Sequence, residues 1–199
     1  MIFFRVLCAV LTATMAGYAF GRLHFKGRDL LFVLYICTIA VPWQVYMVPQ
    51  YKMMTMFHLV DSHLGLILMH AFTATGVFLI RQFMDTVPDE LLEAAKVDGC
   101  PEYRIFIQIV IPLIKPVLIS LVVFTFVTSW NDFLWPLVST SNSDMYTLTV
   151  ALSLLKTQYQ TNYGLIMAGA TVSFLFPFIM YVFLQKQFVE GIALSGIKG

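Results

Sequence analysis

Pro88-Asp-Glu-Leu-Leu-Glu-Ala-Ala-Lys-Val-Asp-Gly-Cys-Pro-Glu-Tyr-Arg104, running on to Ile111-Pro112, is a charged and helix-prone stretch set between long apolar runs. In a chain of 199 residues that is 59% hydrophobic, no other segment combines polarity, helix propensity and structural punctuation in this way. Asp89 and Glu90 follow Pro88 at a helix start, where acids complement the helix dipole and proline lacks only an N–H that would be unpaired anyway. Leu91, Leu92, Glu93, Ala94, Ala95 and Lys96 are all good helix formers. Gly99 suits a left-handed stop, and Pro101 suits the opening of a second short helix. The pattern predicts a helix, a tight turn and a helix, with Ala94 and Ala95 small enough to let another surface approach the backbone. It reads as a docking surface held at a membrane face.

The flanking sequence supplies the membrane. Only 12% of the residues are charged and the mean hydropathy is +0.82, outside the range of soluble domains. A net charge of +1 excludes a broadly basic nucleic-acid binder. Eleven Met and eighteen Phe residues suit lipid-facing and interhelical packing better than a cofactor box. Cys8, Cys37 and Cys100 fall in two apolar spans and the charged stretch, which argues against a disulfide framework or a metal cluster.

A bilayer crossing needs about 20 apolar residues. Segments of that kind run roughly over 2–20, 30–50, 64–83, 113–136 and 164–185. Lys and Arg concentrate in cytoplasmic loops. Arg22, Lys26 and Arg28 lie in the first loop, Arg81, Lys96, Arg104 and Lys115 in or beside the charged stretch, and Lys186 and Lys198 after the last span. The opposite side receives only Lys52, Lys156 and Arg5. The charged stretch and the C-terminus are therefore expected to be cytoplasmic. Small residues recur at helical spacing, Ala13, Gly17 and Gly21 in the first span and Gly164 and Ala168 in the last, predicting close helix packing. Pro42, Pro49 and Pro177 can bend their helices, and Val48 to Phe57 reads as a short interfacial helix after such a bend.

The charged stretch resembles the "EAA" signature of permease subunits of bacterial ABC importers: Glu-Ala-Ala, three residues, Gly, nine residues, Ile, one residue, Leu-Pro. Glu93-Ala94-Ala95, Gly99, Ile109 and Pro112 fall at that spacing, with Ile111 where Leu is usual. The resemblance covers essentially the whole chain. It implies an all-α, polytopic membrane helix bundle in which residues 86–112 form a cytoplasmic coupling loop seated in a groove of an ATPase subunit. Glu93, Ala94 and Ala95 would make that contact, Gly99 would set the turn, Asp98 would fix it or face the ATPase, and Ile109 and Pro112 would lead the chain back to the membrane. The implied partners are a cytoplasmic ATPase dimer, a second homologous permease, an extracytoplasmic solute-binding protein and membrane lipid of the bacterial inner membrane. Permeases of this family commonly have six spans, which implies one span ahead of the five seen here; a five-span subunit is the alternative.

Ser129-Trp130-Asn131-Asp132-Phe133-Leu134-Trp135-Pro136 lies about 25 Å along the fourth span from Lys115 at 1.5 Å per residue. It reads either as an aromatic belt with polar ends or as an outer mouth, with Asn131 and Asp132 offering hydrogen bonds to a hydroxyl-rich solute. This run resembles the carbohydrate-uptake branch of the family, as do Tyr163-Gly164-Leu-Ile-Met-Ala-Gly169, Phe188-Val-Glu-Gly-Ile192 and Gly196-Ile-Lys-Gly199. The branch implies a sugar-like or polyol solute. The outward loop from Leu137 to Asn162 carries an apolar segment at Tyr146–Leu152 able to fold back on the membrane; Gln158, Tyr159, Gln160 and Asn162 are polar contacts suited to a binding protein.

No enzymatic site is legible. His63 and His70 have no carboxylate or third His a turn away to complete a metal site. No nucleophile elbow appears, and without a Gly-x4-Gly-Lys-Ser/Thr loop the ATP-driven step must come from another subunit. No cofactor is expected. An ion-gradient-driven transporter or channel is the rival class, and it would place ionisable groups near mid-span, where this chain is apolar or small.

Overall fold

The computed structural model describes residues 1–155 and 163–196, with side chains in the last helix described through Phe183 and at Gln185. Lys156, Gln158, Tyr159, Gln160, Asn162 and Lys198 lie outside the described residues, as do the side chains of Lys186 and of Phe188 to Ile192. Every regular element described is helical. In chain order these are α1 (Ile2–Arg22), α2 (Arg28–Cys37), α3 (Trp43–Met56), α4 (His63–Leu68), α5 (Ala74–Met84), α6 (Asp89–Val97), α7 (Glu102–Ile105), α8 (Ile111–Leu113), α9 (Lys115–Trp130), α10 (Leu134–Ser139), α11 (Leu148–Leu154) and α12 (Tyr163–Gly196).

Two of the expected spans are unbroken, long and apolar: α1, and α12 over Tyr163–Phe183. The other three are interrupted. The run at 30–50 bends by 101° between Arg28–Ala40 and Trp43–Met56. The break falls at Val41-Pro42, and Pro49 is carried inside α3, so the helix expected at Val48–Phe57 begins earlier, at Trp43. Proline disfavours a helical residue before it and supplies no N–H, so the chain must turn there. The run at 64–83 divides into α4 and α5, because the Thr73 hydroxyl accepts the Gly76 N–H at 3.2 Å and restarts the helix. Glu102–Leu113 and Lys115–Trp130 meet at 78°, with Pro112 and Pro116 on either side of the bend.

α1 is the central element and packs along both α5 and α9, while α9 also packs on α12. The small-residue spacing of α1 sets the seam with α5. A Cβ at Gly17 would meet Ile80 at 2.6 Å, and one at Gly21 would meet Met84 at 2.7 Å, so only glycine allows this approach. Ala13, Ile80 and Met84 are fully buried along this seam, with Val110, Ile114, Val117 and Leu121 in the same core. In α12 the expectation differs: Gly164 and Ala168 are exposed, and the close approach is at Gly169 against Leu152 of α11. The apolar segment near Tyr146 contains the short helix α11, started by the Thr147 hydroxyl, with Val150 buried.

Gly17→Leu is expected to lower the thermal midpoint of the detergent-solubilised protein, through overpacking worth about 1–3 kcal/mol. Met15→Leu, on an exposed face of α1, should leave the midpoint unchanged. Equal melting of both variants would contradict the glycine seam.

Candidate functional site

The charged stretch folds as α6, a left-handed turn and α7. Pro88 precedes α6 as its cap, with Asp89 and Glu90 in the first turn and Lys96 in the last, each on the side the dipole favours. The Cys100 N–H returns to the Ala95 carbonyl and the Gly99 N–H to the Lys96 carbonyl, both at 3.0 Å, while Gly99 adopts φ +74°. This pair of bonds is a Schellman closure, and the left-handed position inside it is what selects glycine. Pro101 caps α7, and a wide turn at Phe106–Val110 follows, in which the Ile111 N–H reaches the Phe106 carbonyl.

The signature residues divide between two faces. Leu92 and Ala95 turn inward and are buried, as are Ile105 and Val110. Glu93, Ala94 and Asp98 are exposed, Ile109 is half-buried and Pro112 is exposed. Leu91, Val97 and Tyr103 add exposed apolar surface beside Glu93 and Ala94, Val97 being 87% exposed. Apolar groups so freely presented among charges suit a protein contact.

Residues outside the signature fix this surface to the bundle. Arg22, the last residue of α1, pairs with Asp89 through Nη1 and donates from Nη2 to the carbonyls of Met84 and Val87. It thus ties the carbonyls of the turn between α5 and α6 while holding the start of α6. Tyr18, one turn earlier, donates its hydroxyl to Glu102 of α7, and its ring lies 4.9 Å from that of Phe106. Neither role was visible in the sequence, where Arg22 counted only as a charge at a span end. The amphipathic neighbourhood of Tyr18 and Arg22, four residues apart on one helix face, was the available signal.

The opposite end is organised by the run Trp130–Pro136. Trp130 donates to the Ser173 carbonyl at 3.0 Å and stacks on Phe176 at 4.7 Å, joining α9 to α12. Asn131 is exposed and returns its side-chain N–H to the Val127 carbonyl at 2.9 Å. Asp132 forms a 2.9 Å ion pair with Arg5, the two side chains only 14% and 2% exposed, and His70 Nε2 lies 3.6 Å from the same carboxylate oxygen. Trp135 is fully buried and donates toward the Gly65 carbonyl, so this residue is not part of an aromatic belt. Of the two outer-mouth candidates, Asp132 is therefore occupied by Arg5, and Asn131 is the exposed member. Arg5 and His70 had no signal in the sequence that would pair them with Asp132. Among the described residues no group of three His, Cys, Asp or Glu side chains is placed to hold a metal ion.

The fold is a broken bundle of helices, α1 and α12 among them long and apolar enough to cross a membrane, with a polar helix-turn-helix at one end. Residues 10–193 match the family of binding-protein-dependent transport system inner membrane components, and the chain belongs to that family. It is 36% identical over 196 residues to an arabinooligosaccharides transport system permease protein of Bacillus subtilis (strain 168), covering 98% of this chain and 70% of the relative. Against the sn-glycerol-3-phosphate transport system permease protein of Yersinia pestis bv. Antiqua (strain Antiqua) the identity is 36% over 188 residues, covering 94% and 67%. Its fold is shared with a bacterial ABC transporter involved in the import of the acidic polysaccharide alginate, with a TM-score of 0.83, 22% identity, and coverage of 93% of this chain and 70% of that one. The protein is thus a non-catalytic permease subunit of an ABC importer in the inner membrane, a class that works with an ATPase and a solute-binding protein.

Removing one partner of a buried ion pair leaves an uncompensated charge, at about 3–5 kcal/mol, whereas replacing both with apolar groups costs far less. Arg5→Leu and Asp132→Leu should each sharply lower the melting temperature in detergent, and the double variant should recover most of the loss. Additive losses would mean that the pair is not coupled.

Proposed function

We propose that this permease forms half of the translocation pathway for a sugar or related polyol. It engages a cytoplasmic ATPase dimer through the face of Glu93, Ala94 and Asp98, while Ala95, buried on the opposite face, seats that helix on the bundle, Gly99 sets the turn, and Ile109 and Pro112 return the chain to the membrane. A second homologous permease completes the pathway, and an extracytoplasmic binding protein delivers solute to the end that carries Asn131 and Asp132. The observation that carries the coupling assignment is the glycine-closed α6–α7 unit, whose Glu93 and Ala94 face outward while Arg22 and Tyr18 bind its other side to α1. The solute class is supported by relatives named for arabinooligosaccharides and sn-glycerol 3-phosphate.

In this mechanism closure of the ATPase dimer on ATP draws the paired α6–α7 units together. Tyr18 and Arg22 pass the displacement to α1, which is unbroken from Ile2 to Arg22. A continuous helix moves as a rod, so the far end of α1, held to Asp132 through Arg5, moves with the loop. The outer mouth thereby opens as the nucleotide-bound dimer closes, which couples two sites through one two-state element.

The test is copurification of the assembled transporter in mild detergent. Gly99→Pro removes the N–H that closes the turn and forbids φ +74°, so it is expected to abolish recovery of the ATPase while the permease remains folded. Arg22→Ala, which leaves the docking face intact, should retain the ATPase but lower solute-stimulated ATP hydrolysis at least threefold. ATPase recovery undiminished by Gly99→Pro would overturn the coupling assignment.

A further inference from the structure

A cavity of about 510 Å³ opens between the α2–α3 bend, the start of α5 and the last turns of α9, with Ala9 of α1 at its back. Phe124 to Ser129 place it about 14–21 Å along α9 from Lys115 at 1.5 Å per residue, in the half of the bundle remote from the coupling surface. Its size falls within the range of small-molecule sites. Trp43, Tyr46 and Phe124 give it aromatic faces.

Three hydroxyls on its wall differ from most in the bundle, whereas Thr38, Thr73 and Thr128 on the same wall are bonded locally. Thr14, Ser120, Ser139, Thr140 and Thr171 each donate to the carbonyl four residues earlier, the usual way for a hydroxyl to be satisfied in an apolar helix. Thr75, Thr125 and Ser129 line the cavity and, among the described residues, their hydroxyls make no hydrogen bond within the chain. His70 lines it as well, and its buried Nδ1 has no partner. Polar groups at membrane depth need partners, and a cavity holding hydroxyl groups or water supplies them. The wall contains no Asp, Glu, Lys or Arg. Asp132 and Arg5, which lie beyond His70, neutralise one another.

Resting on the permease reading above, we infer that this cavity is a solute subsite contributed by this chain, selective for a neutral saccharide ring over a phosphorylated or carboxylated solute. Aromatic faces suit the C–H faces of a sugar ring, and the free hydroxyls suit its O–H groups. An anion would find no cation to meet it, and a buried charge without a partner is strongly disfavoured. The subsite therefore aligns this chain with oligosaccharide transport and against glycerol phosphate.

The experiment uses proteoliposomes containing the whole assembly, this permease with its partner permease, ATPase and binding protein. The native cysteines are replaced by serine, and Thr128→Cys is introduced on the cavity wall. Its reaction with a small, water-soluble methanethiosulfonate is timed during ATP turnover, with arabinotriose, lactose or glycerol 3-phosphate as the probe. The expected result is ATP-driven uptake of at least one of the two saccharides, which then slows modification at least fivefold. Glycerol 3-phosphate should give no protection, and Lys52→Cys, exposed on α3, should be unprotected by any probe. Thr125→Val with Ser129→Ala keeps the shape while removing two free hydroxyls, and should reduce saccharide uptake at least threefold with the assembly intact. An unreactive Thr128→Cys, a reactive one that an imported saccharide does not protect, undiminished uptake in the hydroxyl variant, or protection by glycerol 3-phosphate would each overturn the subsite. So would import of glycerol 3-phosphate alone or of none of the probes. ATP hydrolysis by the copurified ATPase reads the underlying permease assignment separately, so loss of the subsite and loss of that assignment give different results.

Discussion

The approach of α1 to α5 at Gly17 and Gly21 is the contact from which the rest of the bundle follows. Lipid offers apolar side chains no reason to leave it, so helix association in a membrane relies on close packing and on hydrogen bonds. The glycines bring the backbones near enough for both. Ile80 and Met84 pack against bare backbone, and the carbonyls at the end of α5 come within reach of Arg22. A lysine could offer its charge to Asp89, but not the planar fork of donors that also holds Met84 and Val87. Arg5 and Arg22 stand about 26 Å apart along the same helix at 1.5 Å per residue. One unbroken element thus carries a polar anchor at each end.

Around that rod three of the other four spans are interrupted. Irregular backbone at membrane depth is tolerated where it is covered by protein or lines a cavity. The break at Val41-Pro42 and the one ending at Thr73 both border the 510 Å³ cavity, so chain breaks and free hydroxyls occur together. The break between α9 and α10, at Asn131–Phe133, is covered: Trp130 fastens it to α12, Thr149 donates to the Asp132 carbonyl at 2.8 Å, and Arg5 takes the Asp132 side chain. The remote end of the bundle is tied again where Asp61 accepts the backbone N–H groups of Ser141 and Asn142.

What could be read from the sequence was what is local. Helix start, acidic first turn and glycine stop in Asp89–Gly99 depend on neighbours a few positions away, and the structure forms each of them. The glycine spacing of α1 was legible for the same reason, since one helix face is encoded within two turns. The bend at Pro42 was legible from the proline itself, although the helix after it starts at Trp43 rather than Val48; the break ending at Thr73 was not, because hydropathy averaged over about 20 residues cannot see a single cap inside an apolar run. Arg5 and Asp132 are 127 positions apart, and no periodicity joins them. The cavity was least legible of all: Trp43, Thr75 and Ser129 meet only through the bends that hydropathy missed.

The wide turn at Phe106–Val110 gives the signature spacing a rotational meaning. Each residue of an α-helix advances the chain by about 100°, and a π-turn accommodates one residue more than the α-helix it interrupts. Ile105 before it, Val110 at its last position and Ile114 after it are all buried, so the extra residue brings two apolar stripes into phase. Shortening the interval between Gly99 and Ile109 by one would rotate α9 relative to α7 and carry Val117 and Leu121 toward lipid. The number of residues in that interval is therefore an angular setting, and it determines which side of α9 looks into the bundle.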